Sequence, residues 1–355
     1  MKRNGNHFVA LSGIAATLFC APALAGGEAG ELVLRDVGSR FIGYTTNAGD
    51  NDSVDVLNPM FVQYLLPADR RHEYPVVFIH GGGGQGTDWT ETPDGRDGWV
   101  DYFVADGWDV YVVDRPGHGR SQSNRSCGDG PVGVGNSAFI SVLATSEESV
   151  WPGGEPTPTN PAVVAWTAGS ATAPYCGNDV AARTISALLD EIGPAILFAH
   201  SAGGGSTFRV PDLNAENVVG ILAFEAAGSQ PVAPGFGGGP PPLASWVTEP
   251  SLPADFSAVD NDGCLMQGGN PARLVNFADI PVVLAGTQMG LNVTREGLMC
   301  QAAVWREAGV DASFVYFPDR GLTGGGHFAM AQLDNADYAQ VFIELATEIE
   351  VSAGD

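Results

Sequence analysis

Lysine is almost missing from this 355-residue chain: Lys2 is the single one, the other cations are arginines, and the formal net charge is −25. So acidic a surface repels nucleic acid and anionic lipid, which argues against partners of either kind and fits a protein kept soluble by its charge. Long hydrophobic runs are also lacking. The longest, over residues 8–19, is broken by Ser12 and Gly13 and ends at Pro22, well short of the roughly 20 apolar residues that a membrane span needs. No two of the five cysteines have C-x-x-C spacing, so a compact zinc or dithiol site is not expected. There is no internal repeat. The run Asp260-Asn261-Asp262-Gly263 lacks the later ligands of a calcium loop and reads as a turn.

What the N-terminus does have is the pattern of an export signal: Lys2 and Arg3, the short apolar run, then Ala23-Leu24-Ala25 as a small-x-small cleavage site. Residues 1–25 are expected to leave as a signal peptide. Cys20 follows Phe19 rather than a small residue, which does not match a lipid-attachment box, so no membrane anchor is expected. Periplasm and medium both remain open as destinations. Residues 26–355 suffice for one large domain with an insertion. Four cysteines stay in it, Cys127, Cys176, Cys264 and Cys300. Four allow three connectivities, and pairing of neighbours, Cys127 with Cys176 and Cys264 with Cys300, is the expected one.

Short apolar, β-branched runs recur at 75–79, 109–113, 195–199, 218–224, 281–285 and 313–317, between stretches of helical spacing at 97–105, 179–192, 294–308 and 335–349. The alternation predicts an α/β architecture, a doubly wound and mostly parallel sheet with helices on both faces. Residues 31–35 and 60–66 alternate more, as antiparallel edge strands do. Residues 121–178 break the rhythm: rich in Pro, Gly, Ser and Thr and without strong periodicity, they read as a lid-like insertion, with Cys127 and Cys176 near its ends. A second irregular stretch, 228–253, is expected to form another pocket wall. Trp151, Trp166, Phe236 and Trp246 in these segments offer an apolar pocket or ordinary lid packing.

Chemistry concentrates where strand 195–199 runs into His200-Ser201-Ala202-Gly203-Gly204-Gly205 and then a helix start. Strand, sharp turn and helix make the setting of a nucleophile elbow, which strains the serine backbone and needs small neighbours. Ala199 and Gly203 supply them, with Ala199 standing where glycine is usual. Ser201 is therefore the expected nucleophile. His80-Gly81-Gly82-Gly83-Gly84 follows a buried strand, where backbone N–H groups can meet a developing oxyanion; one donor is assigned to Gly82, with Gly83 as an alternative, and the other to Ala202.

Among the histidines, His200 reads as a packing residue, His118 as part of a scaffold turn and His80 as a brace for its own loop. His327, after strand 313–317 and before the last helix, sits where a base belongs. The loop after strand 281–285, Gly286 through Asn292, holds no carboxylate. The preceding strand instead ends in Glu225, which is costly to bury without a partner. Glu225 is the expected orienting acid, with Asp319 and Asp279 as fallbacks.

Taken together, His80-Gly81, Thr92-Pro93-Asp94-Gly95-Arg96 with Gly98-Trp99, residues 114–121, His200-Ser201-Ala202-Gly203 and the glutamate after the sixth strand resemble the α/β-hydrolase serine esterases of the bacterial esterase 713-like family. The resemblance spans about residues 30–350. It implies the α/β-hydrolase fold, Ser201, Glu225 and His327 as nucleophile, acid and base, and Gly82 with Ala202 as oxyanion hole. One departure is that Gly82 and Gly83 stand where that family's example carries adjacent cysteines, which implies a more mobile loop here. The expected activity is ester hydrolysis through an acyl-enzyme, without metal or organic cofactor, on a small-molecule or polymeric ester. The same residues also suit a lactonase or polyester depolymerase, and a catalytically silent binding protein of this fold is the alternative from another class. Oligomeric state is not legible.

Overall fold

The computed structural model describes residues 28–49, 52–121, 151–170, 175–234, 241–252, 256–291 and 294–354. The expected signal peptide, Cys127 and Phe236 lie outside them. Eight strands form one sheet: β1 (Leu34–Ile42), β2 (Met60–Pro67), β3 (Val76–Ile79), β4 (Val110–Asp114), β5 (Ala195–His200), β6 (Val218–Phe224), β7 (Val282–Gly286) and β8 (Ala312–Tyr316). Their spatial order is β1-β2-β4-β3-β5-β6-β7-β8. β2 pairs antiparallel with both β1 and β4, and every pair from β4 to β8 is parallel. The central strands are buried along their whole length, as strands covered on both faces must be, which is why they read as unbroken apolar runs.

The six runs predicted as strands of the parallel sheet appear within a residue of their predicted bounds, and so do most of the helix ends: α1 (Trp99–Ala105), α3 (Asn178–Ile192), α4 (Arg295–Glu307) and α5 (Asn335–Gly354), with α2 (Pro161–Gly169) between the first two. The first edge strand is a correction: it runs over Leu34–Ile42 rather than 31–35, and most of its residues face solvent, so no apolar alternation marked its extent.

Helix α2 lies inside the expected lid-like insertion, at a place where no helix was predicted. Five of its nine residues are Ala or Val, which erases any apolar stripe; its only sequence signals are Asn160, whose side chain accepts from the N–H groups of Ala162 and Val163, and Pro161 at the first turn. The acidic run ends in a hairpin: residues 259–261 pair with 264–266, and Asp262 and Gly263 both turn through positive φ. Cys264 and Cys300 form the expected disulfide, with Cα atoms 5.2 Å apart. Cys176 is disulfide-bonded as well.

Two apolar layers enclose the sheet. On one face α1 and α5 bury Trp99, Phe103 and Phe342 against Phe78, Phe198 and Phe224; on the other, α3 and α4 bury Ile185, Leu189 and Trp305 against Leu197, Ile221 and Leu284. Burial of this extent, at roughly 25 cal/mol per Å² of apolar surface, holds the strands parallel and brings their C-terminal ends to one edge. Among the described residues, no helix is long and apolar enough to cross a membrane.

Candidate active site

Ser201 begins the turn that follows β5, at φ +49°. A serine in the left-handed region is strained by about 1 kcal/mol or more, and here the surroundings enforce it. The Ser201 carbonyl accepts the Ala227 N–H at 2.7 Å. Behind it, a Cβ at Gly203 would come within 2.6 Å of the His80 carbonyl oxygen, so only glycine lets the turn pack this closely. The small neighbours expected around the nucleophile therefore have a steric cause.

Glu225, one residue past β6, is the second strained residue, at φ +45°. Its N–H donates to Ala285 of β7 at 2.9 Å, and its side chain is fully buried. The carboxylate is surrounded by donors. Oε1 accepts from the Thr287 N–H at 2.9 Å and the Thr287 hydroxyl at 2.6 Å; Oε2 accepts from the Leu291 N–H at 3.0 Å and from His327 Nδ1 at 2.7 Å. Burial would raise its pKa, but the bond and charge of His327 and the two Thr287 donors outweigh that and hold it below the ordinary carboxylate value. An ionised Glu225 can only accept, so His327 Nδ1 carries the proton. The other ring nitrogen, Nε2, is left with a lone pair and no bond to a described residue.

Neither fallback acid bonds to His327 among the described residues. Asp319 is half-exposed and ion-paired with Arg295 at 2.7 Å, while Asp279 is exposed, ahead of the start of β7. The loop after β7 has no carboxylate, yet it serves Glu225: Thr287 supplies two of its four donors and Leu291 a third. Gly290 in the same loop makes room for it, because a Cβ there would overlap the carboxylate.

His200 does more than pack. Its ring lies against Phe224 and its Nε2 donates to the His327 backbone carbonyl at 2.9 Å, fixing the loop that carries His327. Burial, then the neighbouring His327, drives its pKa far down, so this ring stays neutral. The chain of contacts brings Ser201, Glu225 and His327 to one place, although 24 and 102 positions separate them in sequence.

The glycine loop after β3 packs on the elbow: a Cβ on Gly82 would stand 3.4 Å from the Ala202 methyl. The brace expected of His80 is there, and Arg115 completes it. His80 Nε2 accepts the Arg115 N–H at 3.0 Å, so Nδ1 bears the proton and donates to the Gly81 carbonyl at 2.8 Å. The Arg115 guanidinium, 1% exposed, donates to the carbonyls of Gly81 at 2.7 Å and Ala202 at 3.4 Å. One buried cation thus ties both strips of backbone through their carbonyls. Nothing local marks Arg115 for this. It sits in the 114–121 turn, whose Asp114 orders the scaffold by accepting from the Gly86 and Arg120 N–H groups.

The aromatic residues divide. Trp151 is buried, Trp166 packs on Phe328 beside His327 with ring centroids 5.2 Å apart, and Trp246 packs at a tilt on Trp305 and lines a cleft adjoining Glu225.

A family model described as "alpha/beta hydrolase fold" matches residues 74–227, from the approach to β3 through the elbow to the residues after Glu225. A probable secreted lipase, phiG, from a fungus (Fungal sp., strain ATCC 74256), is 28% identical over 335 residues, covering 87% of this chain and 90% of its own. Among solved structures, a bacterial esterase superposes with a TM-score of 0.67 at 19% identity, covering 90% of this chain and 98% of its own. The strand order, the strained serine at the end of β5 and these matches agree that the chain has the α/β-hydrolase fold.

Proposed function

We propose that this protein is an exported carboxylic ester hydrolase with Ser201 as nucleophile, His327 as base and Glu225 as orienting acid. The observation that carries the reading is the fully buried, ionised Glu225 holding His327 Nδ1 at 2.7 Å, since that bond leaves Nε2 the only ring nitrogen able to take a proton. The names of the relatives, a probable secreted lipase and a bacterial esterase, favour an ester as substrate.

In this mechanism the Ser201 hydroxyl attacks the ester carbonyl and gives its proton to His327 Nε2. The N–H groups of Gly82 and Ala202 receive the oxyanion. Collapse breaks the acyl C–O bond, the alcohol leaves with the proton from His327, and the acyl group stays on Ser201. Water then attacks the acyl-enzyme, His327 takes its proton, and the acid departs as Ser201 is reprotonated. Glu225 stays ionised and steadies the imidazolium at each stage. Residues 121–178 act as a lid, with Trp166 of α2 set against Phe328 next to the base, and residues 1–25 direct export.

The test is hydrolysis of p-nitrophenyl esters by wild type, Ser201→Ala, Glu225→Ala and Asp319→Ala, with fluorophosphonate labelling of each. Ser201→Ala is expected to abolish turnover and labelling. Glu225→Ala is expected to lower kcat on the order of 10³-fold or more, and Asp319→Ala to leave it near wild type. Wild type that neither labels nor turns over any ester would sink the catalytic reading; equal losses at Glu225 and Asp319 would sink the assignment of the acid.

A further inference from the structure

A cleft of about 590 Å³ adjoins the proposed triad. Glu225 lines it, and so does Ala227, whose N–H holds the Ser201 carbonyl. The cleft therefore lies one backbone contact away from Ser201. The volume lies in the range of small-molecule sites, and much of the wall is apolar, including Leu284, Leu298 and Trp246.

Two of the polar lining residues carry side-chain atoms that a purely apolar ligand would leave unpaired. Ser229 Oγ and Gln230 Oε1 are buried and have no hydrogen-bond partner among the described residues. Leaving such groups unmade costs about 1–3 kcal/mol each, and the rest of Ser229 shows no such neglect. Its N–H donates to the Ala226 carbonyl at 3.2 Å, and its carbonyl accepts Trp305 Nε1 at 2.9 Å. The backbone is pinned on both sides while the hydroxyl in the cleft wall is left open. A serine hydroxyl can donate or accept, and an amide oxygen can only accept. The complement of the pair is a group with one O–H to give and a lone pair to receive, which is an alcohol.

We propose that this cleft binds the acyl part of the ester, and that the preferred acyl group is a hydroxyalkanoyl chain, apolar along its length but carrying a hydroxyl that pairs with Ser229 and Gln230. The inference rests on the hydrolase reading above and names its substrate class. A site with buried polar groups discriminates against the analogue that leaves them unpaired more strongly than an apolar pocket discriminates by size.

The experiment measures kcat/KM for p-nitrophenyl octanoate and for its isomers with a hydroxyl placed at successive carbons, with wild type, Ser229→Ala and Gln230→Leu. Wild type is expected to favour at least one hydroxylated isomer over the plain chain by roughly tenfold, and each substitution is expected to pull that ratio toward one. A wild type that favours the plain chain over every isomer overturns the inference, and that arm depends on no variant folding. A preference that survives both substitutions, or a larger one for an acylamino chain than for any hydroxylated one, overturns it as well. Fluorophosphonate labelling run alongside separates the two claims: a labelled Ser201 without hydroxyl preference removes this inference alone, and an unlabelled, inactive enzyme removes the hydrolase reading beneath it.

Discussion

Two histidines of this protein are each held by carboxylates, and they differ in how many of their nitrogens are taken. At the C-terminal ends of the strands, His327 gives Nδ1 to Glu225 and keeps Nε2 unbonded among the described residues. His72, just ahead of β3, lies between two acids, with Nδ1 2.7 Å from Glu350 and Nε2 3.1 Å from Asp106, its ring stacked on Trp108 at 3.7 Å. A ring that donates from both nitrogens is an imidazolium with no lone pair to offer. His72 is thus a charged staple joining the entry to β3, the end of α1 and the C-terminal part of α5. His327 suits the proposed role of base because Glu225 already has three other donors and takes only one ring proton. Residue type is the same in both places; the count of acceptors around the ring decides which can move a proton.

The largest effect that would test this contrast comes from Gly290→Ala, whose methyl would take space now filled by the Glu225 carboxylate. Displacing the acid misaligns His327, and kcat is expected to drop roughly 10²-fold with little change in KM. Ester kinetics at wild-type levels would show that Glu225 is not what orients the base. Thr287→Val, which deletes one donor to Glu225 Oε1 while keeping the shape, is expected to lower kcat about tenfold; an unchanged kcat would mean the backbone N–H groups suffice.

The smallest effect lies at the other histidine and is read in stability. Burial opposes a charge on His72, but its bonds to Asp106 and Glu350 raise its pKa above the ordinary 6.5. Folding therefore takes up a proton there. The staple contributes fully below pH 6.5 and fades as pH rises through the raised value. His72→Phe, which keeps an aromatic ring against Trp108, is expected to lower Tm by roughly 2 °C in mildly acidic buffer, with a gap that narrows toward alkaline pH and ester turnover at wild-type levels. A gap that widens with pH would contradict a charged His72.

Local pattern carried much of this. Strand runs such as 195–199 and 218–224 are apolar because both faces are covered, and that property can be read without knowing the partners. Ser201 and His327 stand out as candidates from their places at strand ends, and Glu225 because a carboxylate that closes an apolar run demands a partner, which it has in His327. Helix α2 was not legible, since being apolar on all sides removed the stripe that marks a helix. Arg115 was hidden for another reason: what it binds, the carbonyls of Gly81 and Ala202, are backbone groups with no residue signature.

By itself, then, the sequence determined the succession of strands and helices and the residues able to act, because burial and turn chemistry are written within a few neighbouring positions. Only the tertiary structure decided who serves whom: that a loop without an acid would supply Thr287, Leu291 and the space at Gly290 to a glutamate more than 60 positions earlier, and that one histidine would keep a lone pair while another lost both. Hydrogen-bond partners are chosen by proximity in space, and proximity follows from how the layers pack on the sheet.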